Sequence, residues 1–103
     1  LVGQIKELKE LSSYLDKLLK IIMQSILSSD YSVQNKLIRF QEDALEHLER
    51  CRKNQIRRIK KGEVGTRNSM LYLNMLTESK NLLLQAVNLF KAQRDFTNYK
   101  NGL

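Results

Sequence analysis

The only histidine of the chain, His47, stands in an acidic run of Glu42, Asp43, Glu46 and Glu49, with Cys51 one helical turn beyond it. Residues four apart on a helix are neighbours, so Glu42 and Glu46 share a face, and a metal ion could bridge them with the imidazole. The same spacing pairs Glu46 with Arg50, which reads the run as a charged outer face laced with ion pairs. Metal sites in helical bundles draw acidic ligands from several helices. The remaining sequence offers few, so the outer-face reading is preferred. A phosphoacceptor role for His47 needs a small residue and a glycine after it, whereas Cys51 and Arg52 follow. Cys51 itself falls on an apolar stripe, as a small hydrophobe does. His47 is its only neighbouring base, and spacing supplies no third group to orient that base. No catalytic residue, metal ligand or cofactor is assigned.

A second chemistry is positive charge. Between residues 50 and 67 stand Arg50, Arg52, Lys53, Arg57, Arg58, Lys60, Lys61 and Arg67 against the single anion Glu63. The rest of the chain balances at ten cations and ten anions, so the whole net charge of +7 is local. Cations in a helix's last turn complement its exposed carbonyls, which accounts for Lys60 and Lys61. The other six call for more. Two readings stay open, a solvated charged face and a surface for an anionic partner made of Arg50, Lys53, Arg57, Arg58, Lys60, Lys61 and Arg67. It lacks the interleaved aromatics on which bases stack, and no zinc-finger or helix-turn-helix pattern is present, which argues against nucleic acid.

These groups must sit on elements that 103 residues can supply, which means one domain with a single modest core. The absence of proline and the presence of only four glycines favour helix. A lone cysteine excludes an intrachain disulfide. No stretch approaches the roughly 18 consecutive apolar residues of a membrane span. The chain opens LVGQIK without an initiator methionine or a signal-peptide layout, so it is expected to be part of a longer protein.

Apolar residues at steps of three and four predict three helices over about 2–27, 33–61 and 67–98. The first carries Ile5, Leu8, Leu11, Leu15, Leu18, Leu19, Ile22 and Ile26 on one stripe. The second carries Val33, Leu37, Phe40, Ala44, Leu48, Cys51, Gln55 and Ile59. The third places Met70, Leu73, Leu76, Leu83, Val87 and Phe90 on one stripe and Leu71, Met75, Leu82, Ala86 and Leu89 on an adjoining one. Asp30 or Ser32 is expected to cap the second helix, Gly62 to end it, and Thr66 to cap the third. Short links imply an all-α, up-down-up antiparallel three-helix bundle. Leu82, Leu83 and Leu84 together span more circumference than such a core buries. Either the internal core is wider than usual, or Leu71, Met75, Leu82 and Leu89 form a helix interface, to a second copy or to another part of a parent protein.

The run from Gln55 to Leu89 resembles the PhoU-like helical domain found at the cytoplasmic C-terminus of bacterial sodium/phosphate cotransporter family proteins. In that family one helix closes on a pattern similar to His-x-x-Arg-Leu-x-x-Gly, and Gln55-Ile56-Arg57-Arg58-Ile59-Lys60-Lys61-Gly62 stands here. The next family helix reads approximately Tyr-Leu-Asp-Leu-Leu-x-Asp-Leu-Glu-Arg-Ile-x-x-His-x-x-Asn-Ile, beside the run from Tyr72 to Leu89. Arg58, Gly62, Tyr72, Leu73, Leu76, Glu78 and Asn88 agree. Gln55 and Gln85 replace two histidines, and Lys80-Asn81 replaces a Glu-Arg pair. Family members that hold metal clusters use acidic residues four apart, where this chain has Glu78 with Leu82.

The resemblance implies a PhoU-like bundle without metal chemistry, a non-catalytic regulatory or scaffolding domain linked to phosphate transport at the cytoplasmic face of the inner membrane. Its implied partners are the transmembrane domain of a parent transporter, a second copy as a homodimer, and an anionic lipid surface. Two competing readings are a small basic module that binds nucleic acid through the same patch, and a metal-binding bundle centred on Glu42, Glu46 and His47.

Overall fold

In the computed structural model, which describes residues 2–102, three α-helices follow one another: α1 (Val2–Ser28), α2 (Gln34–Lys60) and α3 (Thr66–Gly102). Each packs against both others. The Cα envelope is 60 Å long and 17 Å across. Helices of about 40–55 Å at 1.5 Å per residue fit that rod only by doubling back at each short link, which makes the expected up-down-up bundle.

The helix ends explain the links. At the end of α2 the Glu63 amide donates to Arg58 O and the Gly62 amide to Ile59 O, both at 3.0 Å. Gly62 adopts φ 69°. This is the glycine-ended Schellman arrangement that the sequence predicts. The end of α1 repeats it without a glycine: Asp30 N–H donates to Ser25 O, Ser29 N–H donates to Ile26 O, and Ser29 takes φ 52°.

Two expected caps are displaced. Asp30 accepts the Ser32 amide at 3.0 Å and so shapes the link, while α2 opens at Val33 with no side-chain cap. Thr66 is already helical, and the Gly65 carbonyl accepts the first α3 bond, from Ser69. The third helix also runs on to Gly102, four residues beyond expectation.

The core is a column of Leu11, Leu18 and Ile22 from α1, Leu37, Ala44, Leu48 and Cys51 from α2, and Tyr72, Leu76, Leu83, Val87 and Phe90 from α3. Each large apolar side chain there contributes about 1.5–3 kcal/mol by leaving water. At the far end from the basic patch, Tyr31 meets Phe90 edge to face, with ring centroids 5.3 Å apart.

Four residues expected inside are not. Ile5, Leu19, Met70 and Ile59 are 54%, 38%, 60% and 43% exposed. Toward the basic end of the rod the inward positions belong to polar side chains. Gln4 and Glu7 continue the α1 stripe that runs through Leu11 and Leu18, Gln55 continues that of α2, and Ser69 and Tyr72 that of α3.

Candidate functional site

Glu7 is the centre of the polar end. Its carboxylate is 11% exposed and faces Arg58, 13% exposed, in an ion pair between α1 and α2. The guanidinium binds it in fork geometry, Nη1 to Oε1 at 2.9 Å and Nη2 to Oε2 at 2.8 Å. Asn54 Nδ2 donates to Oε2 at 2.8 Å, and the Tyr72 hydroxyl donates to Oε1 from α3. Four donors from two helices therefore fill the acceptor sites of one carboxylate from the third. The Tyr72 ring also lies under the guanidinium, 5.9 Å from Arg58 Cζ.

A second layer completes it. Gln4 Nε2 donates to Gln55 Oε1 at 2.9 Å and to Asn68 Oδ1 at 2.8 Å. Gln55 Nε2 donates to Ser69 Oγ at 3.2 Å, and Arg58 Nη1 to Gln55 Oε1 at 3.0 Å. Among the described residues no buried side-chain nitrogen or oxygen lacks a partner. Gly3 makes room for this clamp, because a Cβ there would stand 2.9 Å from Arg58 Nη2, an atom already held by Glu7.

The electrostatics follow from that geometry. Burial pushes the Glu7 carboxyl up, but the hydrogen bonds from Arg58, Tyr72 and Asn54 and the Arg58 charge together hold it below the ordinary glutamate range. Burial, then the hydrogen bond to Glu7, drives the Tyr72 phenol above its ordinary range, so it stays a donor. Cys51 is buried, and burial followed by the charge of Glu7 pushes its thiol up. At neutral pH it holds its proton and is a poor nucleophile.

His47 departs from expectation most. Instead of standing on the acidic outer face it is buried, at 4% exposure, between α1 and α2. Its Nε2 lies 3.3 Å from the main-chain oxygen of Glu7 and 3.5 Å from Cys51 Sγ, and its ring stacks at a tilt 5.3 Å from Tyr14. Nδ1 is 3.8 Å from Glu10. Glu42 and Glu46 face solvent, so they do not converge with His47. Among the described residues no three His, Cys, Asp or Glu side chains are grouped to hold a metal ion.

Around the clamp lies the basic patch. Arg50, Lys53, Arg57, Lys60, Lys61 and Arg67 are exposed, and none of them joins an ion pair among the described residues. Arg58 is the exception and leaves the expected surface, because its charge is spent inward on Glu7. Arg52 is likewise tied, to Glu49 one turn earlier at 2.6 Å. A shallow hollow of about 310 Å³ between Asn54, Arg57, Arg58, Lys61 and Glu63 marks the corner. Leu71, Met75, Leu82 and Leu89, expected as a helix interface, are all about half exposed along the outside of α3. No described helix is long and apolar enough to cross a membrane.

Sequence reasoning missed Gln4, Glu7, Asn68 and the inward turn of Arg58. The signal was present: stepping back from Leu18 through Leu15 and Leu11 in threes and fours lands on Glu7 and Gln4. Comparison with known protein families, with curated proteins and with solved structures finds no match for this chain.

Proposed function

We propose that this chain is a non-catalytic regulatory or scaffolding bundle, the cytoplasmic PhoU-like domain of a sodium/phosphate cotransporter type membrane protein, and that its basic end rests on the anionic face of the membrane. The observation that carries the surface role is the set of six exposed cations, without ion-pair partners among the described residues, at one end of the rod. The clamp of Glu7, Arg58 and Tyr72 joins all three helices directly beneath them, so the charges are presented on a rigid frame. The transporter setting is supported by the resemblance of Gln55 to Leu89. Two residues that carry it, Arg58 and Tyr72, belong to different helices and meet on the same carboxylate.

Each basic residue near an anionic membrane surface contributes about 1 kcal/mol, so replacing four removes about 4 kcal/mol, on the order of several hundredfold in partitioning. The test substitutes Arg57, Lys60, Lys61 and Arg67 with Gln, sparing Arg58 because it holds the fold. Co-sedimentation with phosphatidylglycerol vesicles should fall by at least tenfold, and binding of the native chain should weaken as salt rises. Unchanged vesicle binding removes the membrane-surface role, and retention of RNA or DNA without vesicle binding transfers the patch to nucleic acid. The transporter setting has its own check. A full-length parent polypeptide with transmembrane helices is expected, and one without them overturns it.

A further inference from the structure

Midway along α2 and α3 the bundle leaves a trough of about 580 Å³ open between the two helices, nearly twice the hollow at the basic corner. That is within the range of roughly 300–1,000 Å³ that small-molecule sites occupy. Its floor is apolar, with Leu48 and Leu76 only 6% and 5% exposed, and half-buried Leu45 and Leu84 extend it. Because the helices run in opposite directions, Leu45 and Leu84 share one end of the trough and Arg52 and Thr77 the other. Both rims fold back on their own helices. Arg52 Nε and Nη2 hold Glu49 at 3.1 and 2.6 Å, and the Thr77 hydroxyl donates to Leu73 O at 3.1 Å. Among the described residues no side-chain hydrogen bond or ion pair crosses from one rim to the other, so nothing closes the apolar floor.

The rim charges are unequal. Arg52 and Lys80 stand against Glu49 alone, an excess of one cation. The hydrogen bonds from Arg52, joined by the charges of Arg52, Lys53 and Lys80, hold the Glu49 carboxyl below the ordinary glutamate range. Lys80 has no ion pair among the described residues, Arg52 keeps Nη1 uncommitted, and the Asn81 amide on the same rim is exposed.

We infer that this trough binds a single-chain amphipathic monoanion, a medium-chain fatty acid, with its tail along Leu45, Leu48 and Leu84 and its carboxylate between Arg52 and Lys80. One excess cation complements one carboxylate and opposes an amphipathic cation. Two helices wall the trough on either side, which suits a linear chain. From Leu84 to Thr77 it runs about 10 Å at 1.5 Å per residue, the reach of a medium chain and not of a long one. The site shares no residue with the six exposed cations of the basic end, so it stands or falls independently of the membrane-surface role.

Titration of the ¹⁵N-labelled chain with sodium decanoate, below its micelle concentration and followed by amide shifts, tests it. Saturable shifts are expected in residues 45–52 and 76–84. Across hexanoate, octanoate and decanoate, affinity should rise about two- to fourfold per added methylene, fourfold being full burial and twofold half burial. Equal affinity along the series, or shifts centred on residues 57–67, overturns the inference, because either shows attraction by the net charge of +7 alone. Lys80→Glu turns the rim's excess cation into an excess anion and should weaken decanoate by roughly tenfold, with an unchanged helical circular-dichroism spectrum. Lys9→Glu, an equal change of net charge at an exposed site on α1, should leave binding as it is. A folded Lys80→Glu variant that binds like the native chain, or equal weakening by Lys9→Glu, also overturns it.

Discussion

Removing the Glu7 carboxylate should be the most damaging single change at the polar end. Glu7→Ala deletes the acceptor of four hydrogen bonds and leaves the Arg58 guanidinium, 13% exposed, without a counter-charge. Breaking a buried ion pair from one side costs about 3–5 kcal/mol. The slight solvent access here puts the expectation at the lower end, about 3 kcal/mol, which for a domain of this size lowers the melting temperature by roughly 12–24 °C. Thermal and urea unfolding followed by circular dichroism read it. A double-mutant cycle with Arg58→Met should show that the losses are not additive, with a coupling of at least about 1 kcal/mol, because the pair fails as a unit. The pH arm has a definite sign. The folded-state pKa of Glu7 lies below its ordinary value near 4.5, so the stabilisation is complete above that value and drains away as pH falls through the lower folded one. Glu7→Gln should flatten that acid limb. A Glu7→Ala loss below about 1 kcal/mol, or additive effects with Arg58→Met, would refute the clamp as a source of stability.

The two helix ends with positive φ make opposite predictions: Gly62→Ala should cost about 1 kcal/mol through backbone strain alone, since nothing lies within 4 Å of the added Cβ, whereas Ser29→Gly, at φ 52°, should be neutral or stabilising by a few tenths of a kcal/mol. Equal effects of both on urea midpoints would contradict the assigned backbone conformations. Cys51, 1% exposed and with its thiol pushed up by burial, should react with a disulfide reagent at neutral pH only as fast as the bundle opens, and at once in denaturant. Rapid labelling of the folded chain would show that α1 and α2 part at His47.

Much of the architecture was legible because helix period, glycine position and link length act locally. The 3.6-residue recurrence located three helices to within a few residues, and Gly62 announced its own φ. What misled was equating inward with apolar. Ile5 and Met70 lost their expected places to Glu7, Ser69 and Tyr72 because the stripe is set by angle around the helix, and side chains at one angle go inward whatever their type if partners await them. Those partners come from other helices, 47 to 65 residues away along the chain. His47 shows the same limit: its sequence neighbours are acidic, while its spatial neighbours are Tyr14, Cys51 and the Glu7 backbone.

By itself the sequence determined that the chain is helical, that it folds back twice, that its net charge sits at one corner, and that α3 carries more apolar surface than one core can bury. These are sums and periodicities over neighbouring residues, which need no third dimension. Packing between helices settles which cations are paired and which, among the described residues, are not. Arg57 and Arg58 are adjacent and chemically identical, yet one faces solvent and the other is locked on Glu7. A rotation of about 100° per residue separates them, and the carboxylate that makes the difference arrives from another helix.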